Sequence, residues 1–240
     1  MTSLNIRVIP RDLPGKSPRP IHSMPFNSEV FQITVLSLQI SAGATLISLL
    51  VGLPLGTLLA LGRFPGRGFM LSAVNTGMGL PPVVVGLFVA MMLWRSGPLG
   101  DLQLIYTPTA MVIAQVIIAF PVVSGLTTAA LQALDPRLQL QLLGLGASRL
   151  QMIWMLWREA RLPLLAALMA GFGSVISEVG ASIMVGGNLR YQTRVLTTSI
   201  VLETSKGEFN TAIALAILLL VITFLVNWAL TWLQQRGAKR

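Results

Sequence analysis

Long apolar stretches, separated by short charged clusters, divide this chain into five segments. Glu178 is the only charged residue in one of them, and the other four carry no Asp, Glu, Lys or Arg. The stretches are residues 30–62, 68–94, 102–134, 162–189 and 209–235. A helix needs about 20 apolar residues to cross the hydrocarbon core of a bilayer. Because lipid offers the backbone no hydrogen-bond partners, each stretch is predicted to be a membrane-spanning helix.

The pattern does not suit a membrane β-barrel, whose strands are short and alternate in polarity, since runs such as residues 214–224 do not alternate. The first stretch is longer than one span needs, so we predict an interfacial helix at residues 29–39 followed by the first span. The predicted spans are residues 40–61, 69–94, 108–131, 162–185 and 211–232. The expected fold is therefore an all-α polytopic membrane protein with about five transmembrane helices.

The two ends of the chain differ from this transmembrane domain, which we place at residues 29–235. Residues 1–28 contain four basic residues and several prolines but no long apolar run. They are predicted to be a polar tail, because a signal peptide needs an apolar core. Residues 236–240 include three basic residues and are predicted to be a short basic tail.

Composition supports a membrane location and argues against several other classes. Hydrophobic residues make up 54% of the chain and charged residues 10%, with a mean hydropathy of +0.76. A soluble domain carries about 25% charged residues. The chain has no Cys and one His, which argues against disulfides and against thiolate or histidine metal sites. The basic residues behind the net charge of +9 flank the spans, as in membrane anchoring, so we predict no nucleic-acid partner.

Enzymatic chemistry is not expected in this chain. No G-x-x-x-x-G-K-[ST] motif occurs, so the chain lacks that kind of phosphate-binding loop. Its eight carboxylates are widely spaced, and no pair is placed for general acid–base catalysis. We therefore predict neither a cofactor nor a metal in this chain, and any ATP hydrolysis must come from another subunit.

A polar segment between the third and fourth predicted spans, residues 135–161, has helix signals of its own. Asp135, followed by a proline, is typical of a helix N-cap. Gly146 indicates a helix stop, and Ser148 with Gln151 forms a capping box that starts a second helix. We predict a helix–glycine–helix elbow at the membrane surface. It is either a passive connector on lipid or a docking site for a soluble partner.

The elbow resembles the cytoplasmic loop of ABC-type importer permeases, whose signature is E-A-A-x3-G-x9-I-x-L-P. The matching run is Gly146-Ala147-Ser148-Arg149. Two features depart from the signature. Leu140-Gln141-Leu142 stands where the family has E-A-A, and Pro163 lies 17 residues after Gly146, farther than the signature places its proline.

Further runs resemble the tungstate-type permeases of the molybdate/tungstate importer group, and the resemblance covers residues 27–235. The runs are GLPPVVVGL at 79–87, TPTA at 107–110, ISEVG at 176–180, VGGN at 185–188, TRVLTT at 193–198 and LETSKG at 202–207. The resemblance implies the permease subunit of an ATP-driven tungstate importer in the cytoplasmic (inner) membrane of a bacterium or archaeon. Molybdate or a sulfate-type anion is the alternative substrate. A further alternative is an ATP-independent channel or secondary transporter, although we find no inverted repeat that would support one.

The same resemblance implies a set of partners in the membrane and on both of its sides. These are a second permease copy in a homodimer, an ATP-binding subunit that carries ATP and Mg, an extracytoplasmic oxyanion-binding protein and membrane lipid. The elbow is then cytoplasmic and couples to the ATP-binding subunit. The residues implied in coupling are Leu140, Gln141, Leu142, Gly146, Ala147, Ser148 and Arg149.

Glu178 is the charged residue that the fourth apolar stretch has to accommodate. A charge at the bilayer centre costs roughly 2.5–3.5 kcal/mol, so this side chain should face protein or water. Ser174, Glu178 and Ser182 are four residues apart and would share one face of a continuous helix, with Ser177 beside them. This face is either a structural interhelical contact or part of the translocation path and its gate.

The end of the fourth apolar stretch combines glycines with arginines. Gly186, Gly187 and Asn188 give a backbone that a ligand can approach closely, and Arg194 offers forked donors that suit an oxyanion. The segment is either an anion-binding mouth of the path or a plain turn with interfacial basic residues. Separately, Pro81-Pro82 is predicted to kink the second span, as a matter of shape or as a hinge.

Overall fold

The computed structural model describes residues 28–238, with side chains through residue 235, and these residues form ten α-helices without a β-strand. The helices are α1 (Ser28–Leu61), α2 (Arg67–Met78), α3 (Pro82–Leu93), α4 (Pro108–Gln132), α5 (Pro136–Gly144), α6 (Arg149–Glu159), α7 (Arg161–Ile176), α8 (Gly180–Gly186), α9 (Leu196–Ser205) and α10 (Phe209–Ala238). The predicted N-terminal tail lies outside the described residues except for Ser28. The predicted basic tail continues α10 through Ala238, and its side chains also lie outside them.

Membrane-spanning capacity agrees with the predicted fold class. In residues 28–238, α1, α4 and α10 are each long and apolar enough to cross a membrane. Two bent pairs bring the number to five if each is one span: α2 with α3, which meet at 103°, and α6 with α7, which meet at 74°. The prediction of an all-α polytopic membrane protein with about five spans is confirmed.

Three predicted spans differ from the structure in their course. The interfacial helix and first span are one helix of 34 residues, α1, because no breaker separates them and Pro54 is accommodated inside the helix. The second predicted span is not a single kinked helix. It is split at Gly79–Pro81, because the residue before a proline avoids helical backbone angles and Pro82 then starts a new helix.

The fourth predicted span is also split. α7 ends at Ile176 and α8 begins at Gly180. The prediction that Ser174, Glu178 and Ser182 share one face of a continuous helix is therefore wrong, and the contacts that hold the break are described below.

The core is organised around α4, against which α1, α2, α7 and α8 pack. Small residues allow the close approach. A Cβ built on Gly56 of α1 would lie 2.6 Å from the Cβ of Thr127, and one built on Gly77 of α2 would lie 2.7 Å from the ring of Pro121. In membranes, where lipid is as apolar as leucine, such close packing of small residues drives helix association. α10 packs mainly on α9 and α7, and only 6% of its apolar stretch is buried, which fits a helix facing lipid.

Candidate functional site

The elbow at residues 135–161 has the caps that its sequence predicts. The Asp135 carboxylate accepts a hydrogen bond from the backbone N–H of Arg137 at 2.8 Å. Ser148 and Gln151 form the reciprocal capping box, with distances of 3.3 and 2.8 Å. Between the two helices Gly146 takes a φ of +83°, a left-handed conformation that favours glycine. The helix–glycine–helix elbow is confirmed.

The elbow is anchored to the spans by one buried face. Leu142 is 7% exposed and packs in a cluster with Leu131 at the end of α4 and Leu156 of α6. The indole N–H of Trp157 donates to the hydroxyl of Thr57 on α1 at 2.9 Å. The elbow is therefore held against α1 and the end of α4.

The opposite face of the elbow is exposed and unusually apolar. Leu145 is 85% exposed and Leu150 is 77% exposed, and Trp154 is more than half exposed. Six of the seven residues implied in coupling belong to this outer side, at least in part: Leu140, Gln141, Gly146, Ala147, Ser148 and Arg149. The seventh, Leu142, faces inward and anchors the elbow. A surface of this kind fits either a protein partner or a lipid surface that covers the leucines.

Glu178 holds the break between α7 and α8. Its side chain is buried, and Oε1 accepts a hydrogen bond from the backbone N–H of Ala181 at 2.9 Å. Its backbone carbonyl accepts from the hydroxyl of Thr197 at 2.9 Å, so α9 also contributes to the break. These bonds satisfy backbone groups that a helix interruption would otherwise leave unpaired.

The serines near Glu178 separate into two groups. Ser174 and Ser177 donate to carbonyls of their own helix, Gly171 at 2.7 Å and Gly173 at 2.9 Å, and Ser177 is exposed. Ser182 is buried on α8, where its hydroxyl accepts from the Gln115 side-chain amide of α4 at 3.4 Å. The structure therefore brings Glu178 and Ser182 into one interior region and leaves Ser177 on the surface.

Both helix breaks lie level with the middle of α4. Gly77, just before the first break, packs on Pro121. The second break lies between Gly171 and Ser182. Gly171 packs on Val123, and Ser182 contacts Gln115. The breaks are also neighbours, since a Cβ on Gly180 would lie 2.6 Å from the side chain of Val83. Gly79, Leu80, Pro81 and Ser177 are exposed. Non-helical backbone at this depth is stable only if protein or water covers it.

The loop after α8 lies at the opposite end of the chain's bundle from the elbow, near the start of α4. Gly187 and Asn188 both have positive φ, 68° and 52°. The hydroxyl of Thr193 donates to the Gly186 carbonyl, and that of Thr198 donates to the Asn188 side-chain oxygen at 3.0 Å. The segment is thus a turn that its own side-chain hydrogen bonds stabilise.

An ion-pair cluster joins this loop to the start of α1. Arg190 donates two hydrogen bonds to the carboxylate of Glu29, at 2.9 and 2.5 Å, and Arg194 lies 3.6 Å from the same carboxylate. The bond to Glu29 raises the pKa of the Arg190 guanidinium further above its usual range. A groove of about 510 Å³ lies beside the cluster, lined in part by Arg194 and Tyr191. Sequence reasoning did not assign Glu29, because its main partner Arg190 lies 161 positions away in the chain.

Sequence reasoning also missed a polar stripe on α2. Ser72, Asn75 and Thr76 are exposed, and their side chains make no hydrogen bond within the described residues. The signal is present in the sequence, since polar residues at i, i+3 and i+4 lie on one helical face. The stripe contains no charged residue, so the pattern of charged residues alone does not reveal it.

The long apolar helices define an integral membrane protein. The family model described as "Binding-protein-dependent transport system inner membrane component" matches residues 52–239. The chain belongs to this family, and it is a permease subunit integral to the inner membrane.

Individual relatives cover nearly the whole chain. It is 40% identical over 210 residues to the tungstate uptake system permease protein TupB of Peptoclostridium acidaminophilum, covering 88% of this chain and 92% of the relative. It is 40% identical over 200 residues to a probable anion ABC transporter permease protein of Haloferax volcanii, covering 81% and 86%. An inward-facing structure of the MetNI methionine ABC transporter has the same fold, with a TM-score of 0.72 at 18% identity, covering 90% of this chain and 99% of that one.

Proposed function

We propose that this chain is the permease of an ATP-driven tungstate importer. The observation that carries the proposal is 40% identity to a tungstate uptake permease over 92% of that protein's length. A sequence match of this extent includes the elbow, both helix breaks and the loop after α8. The chain supplies the path for the anion and has no cofactor of its own.

The elbow is the docking site of a separate ATP-binding subunit, which hydrolyses ATP with Mg. Two features support this assignment: the outer side of the elbow exposes leucines, and the inner side is fixed by Leu142 and by the Trp157–Thr57 hydrogen bond. Because helices are stiff, a displacement of α5 and α6 is passed to the ends of α1 and α4. When ATP drives closure of the ATP-binding subunits, this displacement opens the path to one side of the membrane at a time.

Two copies of the permease enclose the path. The exposed breaks at Gly79–Pro81 and Ser177, together with the polar stripe of α2, form a face that lipid cannot cover at low cost. A second copy and a water-filled path between the copies provide the polar surroundings that these groups require. Hydroxyl and amide groups bind an oxyanion weakly, which suits a path that must also release it.

The path and gate residues divide into two sets along the membrane. The set at the central break consists of Ser174, Ser177, Glu178 and Ser182. Glu178 fixes the packing of the gate through its two hydrogen bonds. It does not bind the substrate, because an ionised carboxylate would repel a dianion. Gly186, Gly187, Asn188 and Arg194 belong to the outer mouth. An extracytoplasmic binding protein delivers the anion to this mouth.

Reconstitution into vesicles tests the proposal. The permease is assembled with its ATP-binding subunit and binding protein, and uptake of tungstate, molybdate and sulfate is measured with and without ATP. We expect tungstate uptake that requires ATP and both partners. Uptake that continues after the ATP-binding subunit is removed would show a channel or secondary transporter, and a preference for molybdate or sulfate would overturn the substrate assignment.

A further inference from the structure

A small, partly open polar cavity lies where α1, α4, α9 and the break between α7 and α8 meet. Its polar lining comes from Ser37, Ser41, Gln115, Glu178 and Thr197. All five side chains are buried, and a buried polar group costs free energy unless it is hydrogen-bonded. The stability of this region therefore depends on which of these groups have hydrogen-bond partners.

Two of the five are fully accounted for. The hydroxyl of Ser37 donates to the Ile33 carbonyl at 2.7 Å and accepts from the backbone N–H of Leu196 at 2.8 Å. The hydroxyl of Thr197 donates to the Glu178 carbonyl.

The other three have unused capacity. Gln115 is only 3% exposed, and its Oε1 is buried without a hydrogen-bond partner among the described residues, although its Nε2 donates to Ser182. Glu178 uses Oε1 for the Ala181 N–H, and its Oε2 makes no hydrogen bond within residues 28–235. The hydroxyl of Ser41 likewise donates to none of these residues. Two acceptors and one donor therefore remain around a single cavity.

We propose that this cavity is a binding site for one ordered water molecule, which donates to Gln115 Oε1 and to the Glu178 carboxylate and accepts from Ser41. The space open to the centre of a water-sized sphere is about 10 Å³. One water needs about 10–15 Å³ measured in this way, so a second does not fit. A buried water typically makes about three hydrogen bonds, which is the number of unused groups here.

The water connects the break between α7 and α8 to the rest of the core through hydrogen bonds that can reorient. It links α4, through Gln115, and α1, through Ser41, to the carboxylate that starts α8. A direct side-chain bond would fix one geometry, whereas a water can reorient and keep all three bonds as the break shifts. The site is independent of which anion is transported.

The first test is a map of the assembled transporter at a resolution that shows ordered water. We expect one peak within about 2.7–3.2 Å of Gln115 Oε1, a Glu178 carboxylate oxygen and Ser41 Oγ. The proposal fails if the cavity contains no peak, or if five or more oxygens surround the peak at about 2.3–2.6 Å, which would identify a metal cation.

The second test is a double-mutant cycle on the full-length chain in its complex, read as the midpoint of thermal unfolding. Gln115→Met and Ser41→Ala each remove one partner of the water. Because both side chains bind the same water, their effects should be coupled, and the loss in the double variant should differ from the sum of the two single losses. Additive losses for this pair would contradict a shared ligand.

Thr128→Ala is the matched control. Thr128 is also buried on α4, and its hydroxyl donates to carbonyls at 3.2 and 2.8 Å, but it lies 13 residues from Gln115, or about 20 Å along the helix. Combined with Gln115→Met it should lower the unfolding midpoint by the sum of the two single effects. Non-additivity here as well would show that the cycle reports global destabilisation and not the cavity.

Discussion

The guanidinium group of Arg194 has hydrogen-bond donors that its neighbours do not fully use. Its Nη1 lies 3.6 Å from the Glu29 carboxylate and its Nη2 donates to the Asn188 carbonyl at 3.4 Å, both long distances. Its Nε is buried without a partner among the described residues. Arg190, in contrast, makes two shorter bonds to the same carboxylate. Arg194 therefore retains donors that an anion at the mouth of the path can use.

Replacing Arg194 by Ala should lower uptake about tenfold to hundredfold, since one charge-assisted hydrogen bond contributes about 1.5–3 kcal/mol and about 1.4 kcal/mol corresponds to a factor of ten. Uptake is measured in vesicles at subsaturating anion concentration. Glu29→Gln is the control, because it removes the ion pair and leaves Arg194 in place. Equal losses in the two variants would show that Arg194 acts through the ion pair alone.

Glu178 makes a bond that an amide can replace and a methyl group cannot. In Glu178→Gln the side-chain oxygen still accepts from the Ala181 N–H, whereas Glu178→Ala leaves that buried N–H unpaired. We expect Glu178→Ala to lower the free energy of unfolding by about 1–3 kcal/mol and to reduce uptake, and Glu178→Gln to keep most of both. Thermal unfolding and uptake measure the two effects. If Gln and Ala are equally damaging, the charge rather than the bond is required.

At the scale of elements, the elbow has one face that anchors it and one that is free to dock. Leu150→Glu places a charge on the exposed face, and a charge that is buried without a partner in a docked interface is strongly unfavourable. We expect the ATP-binding subunit no longer to co-purify with this variant, while the permease keeps its unfolding midpoint. Leu102→Glu, an exposed leucine between α3 and α4, is the control and should leave co-purification intact. Loss of the partner in both variants, or in neither, would contradict docking at the elbow.

The elbow is predictable from sequence because its signals are local. Asp135, Gly146 and the pair Ser148 and Gln151 each act within three residues of the backbone that they cap. The break at Glu178 is different, since the Thr197 hydroxyl that stabilises it lies 19 positions further along the chain. The helical periodicity of the sequence therefore continues through the break without a sign of it. This is why the sequence wrongly predicts that Ser174 and Ser182 share one helical face.

The sequence predicts the position of the bend between α2 and α3 but not the angle between the two helices. Pro81-Pro82 indicates where the helix is interrupted, but the angle of 103° depends on how each half packs. Gly77 of α2 packs on Pro121, and Gly86 of α3 packs so closely on α8 that a Cβ would lie 2.6 Å from the Cα of Ala181. These partners are distant in sequence, and a single chain gives no sign that they meet.

At the scale of the whole molecule, the exposed surface of the spans has two chemically different sides. α10 exposes large apolar side chains along its length, including Leu220 and Phe224, and such a surface is stable against lipid. The stripe of Asn75 and Thr76 on α2 is exposed as well, yet its amide and hydroxyl groups would lose hydrogen bonds in lipid. The two sides must therefore face different surroundings in the assembled transporter.

Single cysteines distinguish these surroundings, because the chain contains no Cys of its own. Thiol reagents react with the thiolate, which forms in water and is suppressed in apolar surroundings. We expect Thr76→Cys to react with a water-soluble thiol reagent in the assembled transporter, at a rate that changes when ATP is added, since the path opens and closes around it. Phe224→Cys, on the lipid-facing side of α10, should remain unreactive under the same conditions. Uptake by each variant confirms that it is folded. An unreactive Thr76→Cys in an active transporter would mean that α2 faces lipid or a dry interface, and the path would then have to be placed on another face of the protein.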